Sequence, residues 1–453
     1  SSAVPKEKNC YASLTTEWWK EKFPQTKINY VNVGIGATDS YLGVHRVASD
    51  VLAADPDLVV VEFCVNDSRS HNQESYESLL RRIFQYRTEP AVVGLFLTHF
   101  EGRVCSDWSE QHGEIAAYYD IPVVSYRDVV KPRLEDGSLE WTKIGPADDL
   151  THPNNAGHKI ISRCMTYFFG QVLADTGKTY GDYSAWQMKQ DPVTPSRYEN
   201  GILLDNRSGS GIQVAGQQVE KVNISEAQFP YGWQTTTGQD MVFTIGDATN
   251  IGLIYYGGME AKYGTFDVYL DGRYVSTIDT NFYGSWGSHA EYKLLLTSGT
   301  AGSHTVRITK NQDSSGDIFT ILGFTVSRSG EAPAQDYIDR FTKEELEQSQ
   351  GWVSHSYALT DHLTAPVRIG TDTVLVEVTL DSDGNYFWDF GIGDSFVEKE
   401  DHWYSCSYGG TGGEDPDPTP SETVVAGSTA TFNGFTSGSN VNGFTITGNL
   451  KSG

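Results

Sequence analysis

The stretch "DDLTHPNNAGH", residues 148–158, sets an Asp three residues ahead of a His at the mouth of a helix-like run. A carboxylate beside an imidazole is two thirds of a serine-type acyl-transfer apparatus: the acid orients the ring and the ring acts as base. Asp149 and His152 are therefore the candidate orienter and base. Such chemistry also needs donors aimed at a developing oxyanion. Two other stretches supply them. "NVGIGATDS" carries Gly34 and Gly36, where the chain can turn sharply and present N–H groups. "FCVND" ends an apolar run with Asn66, whose amide is a natural oxyanion donor.

The elements that must position these residues follow from periodicity. Over residues 10–175, helix-like runs ("CYASLTTEWWKEKF", "SYLGVHRVASDVLAAD", "QESYESLLRRIFQYR", "WSEQHGEIAAYYD") alternate with short apolar runs ("INYVNVGIG", "PDLVVVEFCVND", "AVVGLFLTHF", "IPVVSY"). A long helix, "NNAGHKIISRCMTYFFGQVLAD", closes the region. Near-continuous apolar strands between helices predict a parallel sheet covered on both faces. The polar candidates fall just past the strand ends, where open α/β sheets bind their ligands.

From about Ser196 the pattern changes to short strands separated by Asp-Gly, Asn and Gly-Ser turns, as in "GTFDVYLDGRYVSTID" and "SHTVRITK". This predicts a β-sandwich, with Asp271-Gly272 as a type I′ hairpin turn. The expected organisation is multidomain. An α/β domain occupies residues 1–190 and a jelly-roll-like β-sandwich residues 196–330. A β-rich module of unassigned role spans 331–408 and includes a capped helix at "DRFTKEELEQSQ". A Gly/Pro/Asp linker covers 409–422, and the start of a further β module covers 423–453.

The three chemical stretches, in this order, resemble the blocks of the SGNH (GDSL-type) hydrolase family. "NVGIGATDS" resembles its glycine block, "CVND" its asparagine block and "DLTHPN" its Asp-x-x-His block; the likeness covers about residues 10–175. It implies a flavodoxin-like, three-layer α/β fold with a parallel sheet, and a Ser-His-Asp acyl-enzyme mechanism. It also implies no metal or cofactor, and Asn66 with Gly36 or Ala37 as oxyanion donors. Cys64 stands where the asparagine block has Gly, a difference expected to alter packing more than chemistry.

The nucleophile of that family sits in a Gly-Asp-Ser-like turn after the first strand, ahead of the helix matching "CYASLTTEWW". Here only "SSAVPKEKN" precedes that helix. Ser1 and Ser2 have no apolar strand before them, and Ser40 is placed to start the next helix. The expectation is that the serine block is missing, lost upstream, and that the chain as written is inactive. A sheet without its first, central strand would leave ladder groups unpaired at about 1–3 kcal/mol each.

Composition bounds the partners. With 33 basic and 59 acidic residues the net charge is −26, which disfavours nucleic acid and anionic membrane surfaces. No apolar run is long enough to span a bilayer. The five cysteines are scattered without metal-ligand or disulfide spacing. An acidic chain with 55 aromatic residues, joining a hydrolase to β-sandwiches, suits a secreted esterase that deacetylates plant polysaccharide, xylan or mannan. Trp233 and Trp286 are the candidate sugar-stacking residues. Two rivals stand beside this reading: a non-catalytic carbohydrate-binding or scaffold protein with a vestigial esterase module, and an SGNH lipase or thioesterase.

Overall fold

The computed structural model describes residues 10–101, 104–174, 191–206, 212–215, 220–222, 229, 231–285, 287–297 and 299–328, with isolated strands beyond. The α/β half begins with α1 (Tyr11–Lys22) and α2 (Ser40–Asp50), then β1 (Leu58–Val61) and α3 (Asn72–Phe84). Next come β2 (Ala91–Phe96), the small hairpin β3 (His99–Glu101) and β4 (Val104–Ser106), and α4 (Ser109–Tyr118). β5 (Val123–Ser125), α5 (Tyr126–Asp136), α6 (Trp141–Ile144) and α7 (Asn155–Ala174) complete it. β1, β2 and β5 form a parallel sheet in that order, with Leu58 opposite Ala91 and Gly94 opposite Val123.

Two packed cores explain the alternation. Tyr41, Val44, Leu79, Leu80 and Ile83 of α2 and α3 cover one side of the sheet; Ile160, Ile161, Met165 and Phe168 of α7 cover the other. α1 lies along α7, where Trp18 and Trp19 pack against Phe169.

One expected strand is not formed. Residues 27–35 take no ladder pairing among the described residues, and Val31 is exposed. β1 is the edge of the described sheet, with Val60 exposed as well. An apolar run becomes a strand only where a neighbour completes its ladder. In the other direction, α5 and the β3–β4 hairpin are elements that periodicity left unassigned; α5 carries Pro132 in its interior, ordinarily a helix breaker.

The second half is antiparallel. In chain order it comprises β6 (Gly201–Leu204), β7 (Ile212–Ala215), β8 (Glu220–Val222), β9 (Gly232–Thr235), β10 (Met241–Ala248) and β11 (Asn250–Gly257). β12 (Thr265–Leu270), β13 (Arg273–Asp279), β14 (His289–Leu296), β15 (Gly302–Lys310) and β16 (Phe319–Ser327) follow. One sheet runs β13-β12-β15-β10-β7; the other runs β14-β11-β16-β9-β8, with β6 also paired to β16. Phe243, Phe266, Val306, Phe319 and Phe324 fill the space between them. The β12–β13 turn is as expected: Asp271 and Gly272 have φ 49° and 77°, the left-handed pair of a type I′ turn.

The two halves share a face. Glu77 on α3 accepts the backbone N–H groups of Val193 and Thr194 (2.6 and 2.7 Å), and Glu74 accepts that of Arg197 (2.6 Å). This straps the connecting segment to the helix. Tyr41 Oη lies 2.6 Å from Thr325 Oγ1 of β16, and Ile254, Ala290 and Leu322 join the α2–α3 core.

Beyond residue 328 the described backbone consists of short antiparallel ladders, among them Glu377–Leu380, Tyr386–Asp389, Ser395–Lys399 and His402–Ser407 in one four-stranded sheet. The helix expected near residues 339–350 and the linker at 409–422 lie outside the described residues.

Candidate active site

The Asp149–His152 turn is built by its neighbours. Trp141 Nε1–H donates to the carbonyls of Pro146 (3.0 Å) and Asp149 (2.8 Å), pinning the loop beneath the acid. The Leu150 carbonyl accepts the Phe100 N–H at 2.8 Å, which ties the loop to β3 beyond the end of β2. Asn154 caps α7, its Oδ1 accepting the Ala156 and Gly157 N–H groups at 2.8 and 3.1 Å. Gly157 is required because a Cβ there would lie 2.3 Å from the Ile144 carbonyl oxygen, where α7 docks on α6.

Within this frame Asp149 Oδ1 accepts the N–H groups of Thr151 and His152, each at 3.0 Å, and Oδ2 accepts His152 Nδ1–H at 2.7 Å. Partial burial works against ionisation of Asp149. The Thr151 and His152 N–H groups and the imidazole outweigh it and hold the carboxyl below its usual range. With Nδ1–H committed to the acid, the lone pair of the neutral ring stands on Nε2, the atom a base must use. Both side chains are partly exposed.

The donor loops meet at a second point. After β1 the chain turns through Phe63–Asp67, the Phe63 carbonyl accepting the Asn66 and Asp67 N–H groups at 3.1 and 2.9 Å. Asn66 is exposed, and its Nδ2 donates to the Thr38 carbonyl at 3.1 Å, linking the asparagine loop to the glycine loop. Ala37 adopts φ 61°, a left-handed conformation that costs a non-glycine residue about 1 kcal/mol or more and is held by its surroundings. Gly36 has open space where a Cβ would stand, so no neighbouring atom there demands a glycine. The loops of Asn66 and of Gly36 and Ala37 are thus joined by one direct bond, to Thr38. The Asp149–His152 pair stands at the same carboxyl edge of the sheet, tethered through Phe100.

Ser40 is the first residue of α2, as expected, but the cap is Asp39, whose Oδ1 accepts the Leu42 N–H at 3.2 Å. The Ser40 hydroxyl is wholly buried between the Asn72 carbonyl (3.2 Å) and Ser75 Oγ (2.6 Å) and is no nucleophile. Ser1 and Ser2 lie outside the described residues. So do Gly393 and Asp394 of the chain's one Gly-Asp-Ser triplet, whose Ser395 starts a strand out of the family's block order.

Cys64 affects packing. It is fully buried, its Sγ 3.3 Å from His112 Nδ1, while His112 Nε2 lies 2.7 Å from Asp67 Oδ2. Burial pushes the Cys64 thiol well up, so this Cys-His-Asp arrangement braces the turn without a reactive thiolate. Periodicity gave His112 and Asp67 no role; nothing in their spacing of 45 residues signals the contact.

Trp233 is corrected. It is 1% exposed, wedged against Phe243 and Phe324 between the two β-sheets, and offers no ring face to a sugar. The stretch "QFPYGW" reads as a loop, but Trp233 belongs to the inward face of β9. Trp286 lies outside the described residues; Tyr283, three residues earlier in the sequence, is 82% exposed.

Residues 3–160 match the model of the GDSL-like lipase/acylhydrolase family. No curated protein matches the chain. Among solved structures, the chain is similar to a two-domain esterase active on acetylated mannans, co-crystallised with mannopentaose. The two are 27% identical over 71% of this chain and 86% of that one, with a TM-score of 0.60. A second structure of a two-domain esterase active on acetylated mannans gives 28% identity over the same shares, with a TM-score of 0.59. The parallel sheet with its helices, the antiparallel β-sheets after it and these matches agree: residues 3–160 resemble the GDSL-like lipase/acylhydrolase, or SGNH, family, and the fold is similar to that of the two-domain esterases.

Proposed function

We propose that the protein removes acetyl groups from a plant polysaccharide, mannan or xylan, outside the cell, through a seryl acyl-enzyme. His152 takes the serine proton on Nε2 and later returns it to the departing sugar hydroxyl. Asp149 holds the ring and stabilises the imidazolium. The amide of Asn66 and the backbone N–H groups of Gly36 and Ala37 receive the oxyanion of the tetrahedral intermediate. Water then attacks the acyl-enzyme with His152 again as base, releasing acetate.

The observation that carries this reading is the 2.7 Å Asp149–His152 bond, at the sheet edge where the Asn66 and Ala37 loops join. The likeness to a mannan esterase favours mannan over xylan. The nucleophile in this reading is a serine ahead of α1, because Ser40 is committed elsewhere. The domain limits at 190, 196 and 330 belong to the same proposal.

The test is to express the full-length protein, supply acetylated mannan and acetylated xylan, and measure acetate release. A fluorophosphonate adduct is then mapped by mass spectrometry. Acetate release that His152→Ala abolishes, with the adduct on a serine N-terminal to Tyr11, is the expected result. An adduct on Ser395, or hydrolysis that survives His152→Ala, overturns the assignment.

A further inference from the structure

Two consecutive residues of β14, in the sandwich, reach both loops that carry the oxyanion donors. Tyr292 Oη–H donates to Asp39 Oδ2 at 2.6 Å, and Asp39 stands two residues after Ala37. Glu291 Oε1 accepts Arg69 Nη2–H at 2.7 Å, and Arg69 stands three residues after Asn66. The contacts cross over: Arg69 Nη1 lies 3.3 Å from Asp39 Oδ2, and its guanidinium sits 4.3 Å from the centre of the Tyr292 ring. Asn72 Nδ2 adds a donor to Asp39 Oδ2 at 3.1 Å.

The protons can be assigned. His71 Nε2 is 2.6 Å from Tyr292 Oη. The phenol O–H points at Asp39, so His71 must donate its Nε2–H to the phenol oxygen. Burial, then Arg69, lowers the His71 pKa to about 4, so the ring is neutral near pH 7 and carries its proton on Nε2. Burial and the adjacent Asp39 push the Tyr292 phenol upward, so it stays a donor.

Asp39 itself is under stress. It is buried, Asp67 is its neighbour, and both effects raise its pKa. Its donors, Leu42 N–H, Asn72, Tyr292 and Arg69, are what keep a carboxylate there. Removing one would shift the cap residue of α2 and with it the strained turn at Ala37.

On the esterase reading, we propose that Tyr292 and Glu291 are positioning residues for the oxyanion site: the sandwich clasps the Ala37 and Asn66 loops and sets the separation of their donors. The β-sandwich is then a working part of the catalytic centre as well as an accessory module.

The test uses Tyr292→Phe and Glu291→Gln in the full-length protein. Tyr292→Phe keeps the ring stacked on Tyr41 and Arg69 and deletes only the phenol oxygen. Expected are a kcat for p-nitrophenyl acetate lowered roughly 10- to 100-fold, below the loss for deleting an oxyanion donor outright, and a KM within about twofold. Hydrogen exchange should quicken in residues 33–42 and 64–72 while β2 and β10 stay protected. Glu291→Gln should produce the same pattern with a smaller fall in kcat. Unchanged kcat in both variants, or faster exchange throughout both halves, overturns the proposal and leaves these residues as mere interface contacts. If the unmodified protein hydrolyses no ester, the esterase reading falls, and the exchange pattern alone decides whether the clasp exists.

Discussion

Asp149 spends both carboxylate oxygens on its own turn: Oδ1 on the N–H groups of Thr151 and His152, Oδ2 on the His152 ring. The acid therefore sets the backbone and the tautomer of the base together. Asp149→Asn keeps the shape but cannot accept Nδ1–H in the same way. In the full-length protein, His152→Ala should lower kcat by roughly 10²–10⁴-fold, the usual worth of a general base. Asp149→Asn should fall in the same range, with substrate KM little changed. Steady-state deacetylation kinetics check both, and retention of more than half the activity in either variant would remove the pair from the mechanism.

Asn66 bonds the Thr38 carbonyl through Nδ2, leaving a second N–H on the same nitrogen for the substrate. Asn66→Ala removes one oxyanion donor and loosens the Ala37 loop. A fall in kcat of roughly 10²–10³-fold is expected, with the thermal midpoint lowered only slightly because the side chain is exposed. The ratio of kcat to KM change in the variant decides the point; a pure KM effect would place Asn66 in ground-state binding.

Stability should fall in acid through His45. This imidazole is buried against Gly201, its Nδ1–H donating to the Tyr41 carbonyl at 2.7 Å, and burial depresses its pKa to about 3. The unfolded ring takes a proton near pH 6.5, so between pH 6.5 and 3 the unfolded chain binds the extra proton. Stability is whole above about pH 6.5 and is lost as the pH falls through that window, at about 1.4 kcal/mol per pH unit for this one group. Urea titrations at pH 7, 6 and 5 should show the decline, with a shallower slope in His45→Gln; equal slopes would exclude His45 as the source.

Trp233 and Tyr283 separate core from surface. Trp233→Ala should cost about 3–5 kcal/mol, since it empties a filled position between two sheets. Tyr283→Ala, at a site 82% exposed, should change stability by no more than about 0.5 kcal/mol. Retardation on acetylated mannan gels should weaken in Tyr283→Ala and persist in folded Trp233→Ala. The reverse pattern would mean that sugar recognition lies elsewhere on the sandwich.

Much of the fold was legible because periodicity records which face is buried. α1, α3 and α7 follow their apolar stripes, and β1, β2 and β5 are the apolar runs between them. Residues 27–35 carry the same signal yet form no strand, because a pattern of apolar residues does not reveal whether a ladder partner lies beside it. α5 went unseen because Pro132 reads as a break.

By itself, the amino-acid order determined the local chemistry: a carboxylate three residues from an imidazole, a helix opening just after them, an Asp-Gly hairpin. Each is settled within a few residues, where covalent geometry and short hydrogen bonds leave few choices. Only the tertiary structure decided what those pieces face. It buried Trp233, closed the Ser40 hydroxyl inside α2 and α3, set Cys64 on His112, and brought Tyr292 to Asp39 across 253 residues. Such contacts depend on how whole elements pack and on where buried polar groups find partners, a competition among distant segments that no local spacing records.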